Sequence, residues 1–179
     1  MCNFLSGVIT REKEPRILCG SLLHHERTVA AFLLKPEQYR EWEWTNDDDG
    51  KSLVVRAAPG ENPNVLKSAI LAKFPTRRTC LAYCIQLLQT LENADVSESP
   101  VTVFVSENAK TIDARGCTAL TELKAENAKT IDASGCTALT ELKAENAETI
   151  YARGCTALTE LKAENAKTIC ASGCTALKK

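Results

Sequence analysis

From Val101 onward, apolar and polar positions alternate in short runs that recur every 19 residues. In TELKAE, Leu123 and Ala125 fall on one side of an extended chain and Glu122, Lys124 and Glu126 on the other. In TIDAS, Ile131 and Ala133 alternate with Thr130, Asp132 and Ser134. A period of two is that of a strand. Each unit is therefore predicted to hold two short extended segments, with turns at Glu-Asn-Ala and at Ser/Arg-Gly-Cys. The interior column is then Leu120, Leu123, Ala125, Ala128, Ile131, Ala133 and Cys136. Small residues dominate it, so the coil is narrow. CTALTELKAENAKTIDASGC (117–136) is followed by CTALTELKAENAETIYARGC (136–155) and CTALTELKAENAKTICASGC (155–174). A short fixed period with this self-similarity predicts a stacked solenoid.

Residues 1–100 show no such repeat and read as a small α+β domain. GVIT and RILCG flank REKEP, and REWEWT and KSLVVRAA flank NDDDG; both patterns predict hairpins. HERTVAAFLL, VLKSAILAKF and RRTCLAYCIQLLQTLE have helical apolar faces. Asn64 and Thr76 are the expected caps of the second and third helices, and Pro75 stops the second. In the third helix, Leu81, Cys84, Ile85, Leu88 and Leu91 form the expected buried stripe. ENADVSESP is polar and reads as a link between a domain at 1–100 and a repeat solenoid at 101–179.

Charge and cysteine usage narrow the functional classes. The formal net charge is -1, and a nucleic-acid or membrane-surface binder needs a basic excess, so neither partner is expected. MCNFLSGVITREKEP has no basic leader or apolar core, and no stretch is long and apolar enough for a membrane span. Cys117, Cys136, Cys155 and Cys174 occupy one position of the repeat, and the total of nine cysteines is odd. Both facts favour reduced thiols, which points to a cytoplasmic protein.

Candidate chemistry is sparse. The chain holds no P-loop, dinucleotide fingerprint, triad or zinc-ribbon spacing, so no cofactor and no metal is expected. Cys2 would become the first residue if Met1 were removed, with its own α-amino group as base; a small N-terminal-cysteine hydrolase or transferase is the alternative function. Adjacent His24 and His25 do not form a two-ligand site by themselves; Cys80 and Cys84 share a helix face at i, i+4 but lie on the apolar stripe and read as core, so a metal site from Cys19, either histidine, Cys80 and Cys84 is not expected. Trp42 and Trp44 alternate with Glu41 and Glu43 and are assigned to a core or docking face.

Binding residues are better marked. Asp113, Asp132, Tyr151 and Cys170 share one position of otherwise near-identical units, with Arg115, Ser134, Arg153 and Ser172 beside them. Variation confined to such positions marks an exposed column, and Tyr and Arg are typical anchors of protein contacts. Asp113, Arg115, Asp132, Tyr151 and Arg153 are the candidate partner-binding residues. VTVFVSENAKTI aligns with LTELKAENAKTI, so a degenerate first coil starts near Val101. Its outward Val103 and Val105 replace Glu122 and Lys124 and are expected to be a docking surface for residues 1–100. At the other end, CTALKK precedes any further strand, which predicts an open coil edge and a homodimer through it, with Lys178 and Lys179 as a partial guard.

The pattern L-x-x-L-x-A-x-N-A-x-x-I-x-A-x-G-C-x-x-L over 101–179 resembles a short leucine-rich repeat. It is similar to the BspA-like, treponemal subclass of bacterial surface antigens, whose units also read GC-T-x-L-T-x-L. The present units are several residues shorter, with Asp-Ala-Ser or Tyr-Ala-Arg where the subclass has an alanine-phenylalanine pair before Gly-Cys. A turn or second strand therefore fits the convex side better than a helix. The resemblance implies a non-enzymatic scaffold for an unknown protein partner, with no catalytic residues. MCNFLSG…LLHH is loosely similar to leaders of bacterial and phage repeat proteins.

Overall fold

The computed structural model describes residues 5–12, 16–19, 25–45 and 52–178. The chain divides into two compact units, Met1–Leu87 and Leu88–Lys179.

In the first unit, β1 (Leu5–Thr10), β2 (Ile17–Leu18), β3 (Tyr39–Trp44) and β4 (Leu53–Arg56) form an antiparallel sheet in the order β2-β1-β3-β4. The two hairpins follow the sequence pattern, although the NDDDG turn and the centre of REKEP lie outside the described residues. Alternation in β3 sends Trp42 and Trp44 into the core, where both are fully buried. Gly7 pairs with Trp42, and a Cβ on Gly7 would stand 2.7 Å from the indole and 2.6 Å from the Leu18 carbonyl. The absent side chain is what lets the ring lie across β1.

Three helices accompany the sheet: α1 (His25–Ala31), α2 (Pro63–Lys73) and α3 (Arg77–Gln89), whose last two residues fall in the second unit. The cap of α2 is Asn62, not Asn64: its side chain accepts the Asn64 N–H at 3.0 Å, and Pro63 takes the first helical position. Proline is suited to that position because its missing N–H would be unpaired there anyway. Thr76 does cap α3, accepting the Thr79 N–H at 3.2 Å. The buried line of α3 is Cys80, Cys84 and Leu88; Leu81, Ile85 and Leu91 flank it and are half-exposed, so the true stripe is rotated from the expected one.

The second unit is a β-solenoid of two parallel sheets. One contains β6 (Val103–Val105), β8 (Glu122–Lys124), β10 (Glu141–Lys143) and β12 (Glu160–Lys162). The other contains β5 (Asn93–Asp95), β7 (Thr111–Asp113), β9 (Thr130–Asp132), β11 (Thr149–Tyr151) and β13 (Thr168–Cys170). Strands pair in the register of the repeat: Leu142 with Leu123 and Leu161, Ile150 with Ile131 and Ile169. The expected interior column of Leu120 through Cys136 is fully buried. No helix interrupts the described coils, so the second side of each is a strand.

The solenoid starts earlier than its sequence pattern. The stretch read as a polar link contains β5, which pairs with β7 through Asn93–Thr111, Ala94–Ile112 and Asp95–Asp113. Its partners are displaced by one residue relative to the 19-residue period, which hides it from an alignment at fixed spacing. Glu98 takes the place of the repeat glycine with φ of 55°, beside φ values of 68° to 80° at Gly116, Gly135, Gly154 and Gly173. Ser99 takes the place of the repeat cysteine, within 3.7 Å of the Cys117 sulfur.

Three side-chain ladders tie coil to coil. Cys117, Cys136, Cys155 and Cys174 each donate the thiol hydrogen to a carbonyl of the preceding coil, those of Val96, Ala114, Ala133 and Ala152, at 2.7 to 3.1 Å. The cysteine is thus more than a small apolar filler: it satisfies a carbonyl at a tight turn. Thr121, Thr140 and Thr159 donate to the carbonyls of Thr102, Thr121 and Thr140 at 2.9 to 3.1 Å. Asn127 and Asn165 donate to the carbonyls of Glu107 and Glu145 at 2.9 and 3.0 Å, the turn role their recurrence suggests.

Candidate functional site

The outer face of the five-stranded sheet gathers the variable positions. Asp95, Asp113, Asp132, Tyr151 and Cys170 stand on adjacent parallel strands in one column. Strands in such a sheet are about 4.8 Å apart, so three consecutive carboxylates need a counter-charge. Arg115 supplies it: Nε and Nη2 donate to the two Asp113 oxygens at 2.9 and 2.7 Å, and Nε stands 3.8 Å from Asp132. Asp132 also accepts the Ser134 N–H at 3.0 Å, and Asp95 accepts the N–H and hydroxyl of Ser97. These bonds hold the acidic half of the column in a fixed arrangement. The other half is Tyr151, half-buried, with exposed Arg153 two residues on. All five residues singled out for partner binding therefore lie on one face, graded from Asp-Arg-Asp to Tyr-Arg.

The outer face of the four-stranded sheet is chemically monotonous. Lys124, Lys143 and Lys162 each pair along their own strand with Glu122, Glu141 and Glu160, the last at 2.8 Å. At the turns that lead into β9, β11 and β13 of the other sheet, Glu148 is held between Lys129 at 3.8 Å and Lys167 at 2.7 Å, and the Lys167 bond keeps its carboxyl below the usual range. Exposed pairs of this kind contribute ~1 kcal/mol or less. Val103 and Val105 stand at the β6 end of this face, 44% and 38% exposed.

None of the described cysteines is joined in a disulfide. Burial pushes Cys155 up to about 11, and its neighbour Cys117 and burial push Cys136 up as well, so these sulfurs are held as neutral donors. Cys19, Cys80 and Cys84 are buried in the first unit; Cys19 lies 3.7 Å from the Ser6 carbonyl. Among the described residues no three His, Cys, Asp or Glu side chains are arranged to hold a metal ion. Cys2, His24 and the His25 side chain lie outside the described residues.

The first unit also holds an ionic cluster built on Glu61. Glu61 is gripped by Arg40, which donates through Nε and Nη2, and by Arg11 at 2.7 Å, and it accepts the Ala58 N–H at 3.0 Å. The Arg40 bonds, then the Ala58 bond, lower its pKa to about 2. Open depressions of about 260 to 410 Å³ lie around this cluster, lined by residues such as Arg40, Arg56, Thr10 and Val65. Three residues separated by 21 to 50 positions assemble it, and no local pattern announces such a contact.

Among the described residues no helix is long and apolar enough to cross a membrane. No known family model, curated protein or solved structure matches this chain.

Proposed function

We propose that the protein is a non-enzymatic interaction module of leucine-rich-like type, and that the outer face of the five-stranded sheet receives a protein partner. The observation that carries this reading is the column Asp113, Asp132, Tyr151, in which side chains change while nearly every neighbouring position of the repeat stays the same. Rigid backing favours the same reading. The ladders behind the face immobilise it before binding, which reduces the ordering cost of association. Tyr151 and Arg153 are the expected anchors, with Asp113, Arg115 and Asp132 as a polar flank.

Affinity capture from the native host tests this, with the full chain and its Tyr151→Ala/Arg153→Ala variant as baits. The full chain is required because β5 belongs to the solenoid. A specific partner should be retained by the parent and weakened about tenfold or more by the double change, at unchanged melting temperature. Equal capture by both baits refutes the assignment of the face.

A further inference from the structure

We infer that Arg153, with Tyr151, is a binding point for a carboxylate side chain, so that the protein segment received by the five-stranded face presents an aspartate or glutamate there. The inference rests on the reading of that face as the partner surface and adds the chemistry of the contact.

Arg115 and Arg153 occupy the same position of the repeat, two coils apart. Each precedes a turn glycine, Gly116 and Gly154, with φ of 68° and 72°. The N–H of each glycine donates to the carbonyl of the following coil, that of Ser134 or Ser172, at 2.8 Å. The backbone therefore turns alike at both arginines. Their surroundings differ.

Arg115 is satisfied within the chain. Its backbone N–H and Nε donate to Asp113 Oδ1 at 3.2 and 2.9 Å, and its Nη2 donates to Asp113 Oδ2 at 2.7 Å. Asp132 of the next coil stands 3.8 Å from Nε. One carboxylate thus takes three donors at a single turn, and a guanidinium fork suits it because both are planar and two-pronged.

At Arg153 both acids are replaced. Tyr151 stands where Asp113 stands in the earlier coil, and Cys170 where Asp132 stands. Arg153 is exposed, and neither its backbone N–H nor its guanidinium meets an acceptor among the described residues. The neighbouring acid on the other side, Asp132, accepts the Ser134 N–H and lies toward Arg115, with no ion pair to Arg153. The donor set that binds a carboxylate inside the chain at Arg115 is therefore turned to solvent at Arg153.

Two further features suit a protein carboxylate. Tyr151 is half-buried, so its ring offers an apolar surface to the stem of an acidic side chain and to the residue beside it. Strand β11 is paired on both sides, which fixes Tyr151 before contact and lowers the ordering cost of binding. A basic side chain of the partner is repelled by Arg153 and is better placed toward Asp113 and Asp132, two carboxylates that share one arginine.

Selection of random short peptides, displayed on phage, against the full chain tests this. The parent should enrich sequences that share an Asp or Glu next to an apolar residue. Arg153→Glu should reverse the preference to Lys or Arg. Arg78→Glu, the same charge change at an exposed arginine of α3, should return the acidic motif. In the enriched peptide made synthetically, Glu→Gln should weaken binding about tenfold to the parent. The same change should weaken binding to Arg153→Gln by less than about twofold, because the pair is already broken. Fluorescence anisotropy measures the affinities, and unchanged melting temperatures verify that the variants fold. A parent that enriches no peptide or a motif without an acid, an acidic motif retained by folded Arg153→Glu, or an equal Glu→Gln penalty on parent and Arg153→Gln would each overturn the proposal. The capture experiment separates the two readings. If the host partner is lost from the Tyr151→Ala/Arg153→Ala bait but the peptides show no dependence on an acid, only the carboxylate chemistry fails. If both baits capture equally while the acidic motif depends on Arg153, only the assignment of the face to the host partner fails.

Discussion

Leu142 and Leu161 occupy one position of one repeat, in strands of identical sequence, yet the first is fully buried and the second half-exposed. The first coil behaves like the middle ones: Val101, Phe104, Ala94 and Val96 are at most 3% exposed. The same amino acids thus have different energetic weight according to the number of coils stacked against them. In a solenoid each unit is stabilised mainly by its nearest neighbours, so a less covered coil contributes less.

The largest expected break in this symmetry comes from truncation. Leu142→Ala should cost about 3 kcal/mol, in the range for fully buried leucines that leave a cavity. Leu161→Ala should cost about half of that or less, because its surroundings are already partly hydrated. Chemical denaturation of the two variants measures the difference, and equal losses would show that the last coil is as well packed as the others.

A smaller effect is expected at the turns. Gly135 has φ of 78°, and a Cβ there would meet nothing nearer than 3.7 Å, so Gly135→Ala should cost about 1–2 kcal/mol from backbone conformation alone. Glu98 holds the equivalent turn of the first coil with φ of 55°, so Glu98→Gly should stabilise by up to about 1 kcal/mol. Melting temperatures that move in opposite directions would verify that one turn geometry serves the first coil and an inner one.

The smallest effect is electrostatic and local to the last coil. The bond from Lys162, then its wider field, lowers the pKa of Glu160. A carboxyl depressed on folding adds stability that is present above its unfolded value and is lost as the pH falls through the folded one. The difference in melting temperature between the parent and Glu160→Gln, measured at neutral pH and again below the usual carboxylate range, should therefore shrink in acid. A difference independent of pH would mean that the Glu160–Lys162 pair contributes nothing.

The sequence exposed the repeated part of the molecule more completely than the rest. Period-two alternation located the strands β6 to β13, the inward column and the turn asparagines, because each depends on neighbours in the chain. The single missed strand of the solenoid, β5, lies where Glu98 replaces glycine, Ser99 replaces cysteine and the spacing changes by one residue. Its identity comes from pairing with β7 and not from its own composition. In α3, Cys80 and Cys84 are buried as their shared face predicts, but Leu81, Ile85 and Leu91 are only half-buried: a helix with apolar residues on several sides does not declare which of them face the core.

For the candidate face, the sequence identified which positions vary; pairing decided that Asp113, Asp132 and Tyr151 adjoin and that Arg115 bridges two carboxylates. The Arg11–Glu61–Arg40 cluster was invisible because its members are distant in sequence. What the sequence alone determined is the coil: its length, its two strands and the residues turned inward, all set by local alternation and exact repetition. What only the tertiary structure decided is where stacking begins, which thiol meets which carbonyl, and how deeply each copy of an identical strand is buried. Those depend on the number and register of neighbouring coils, quantities that identical repeats do not encode in any one of them.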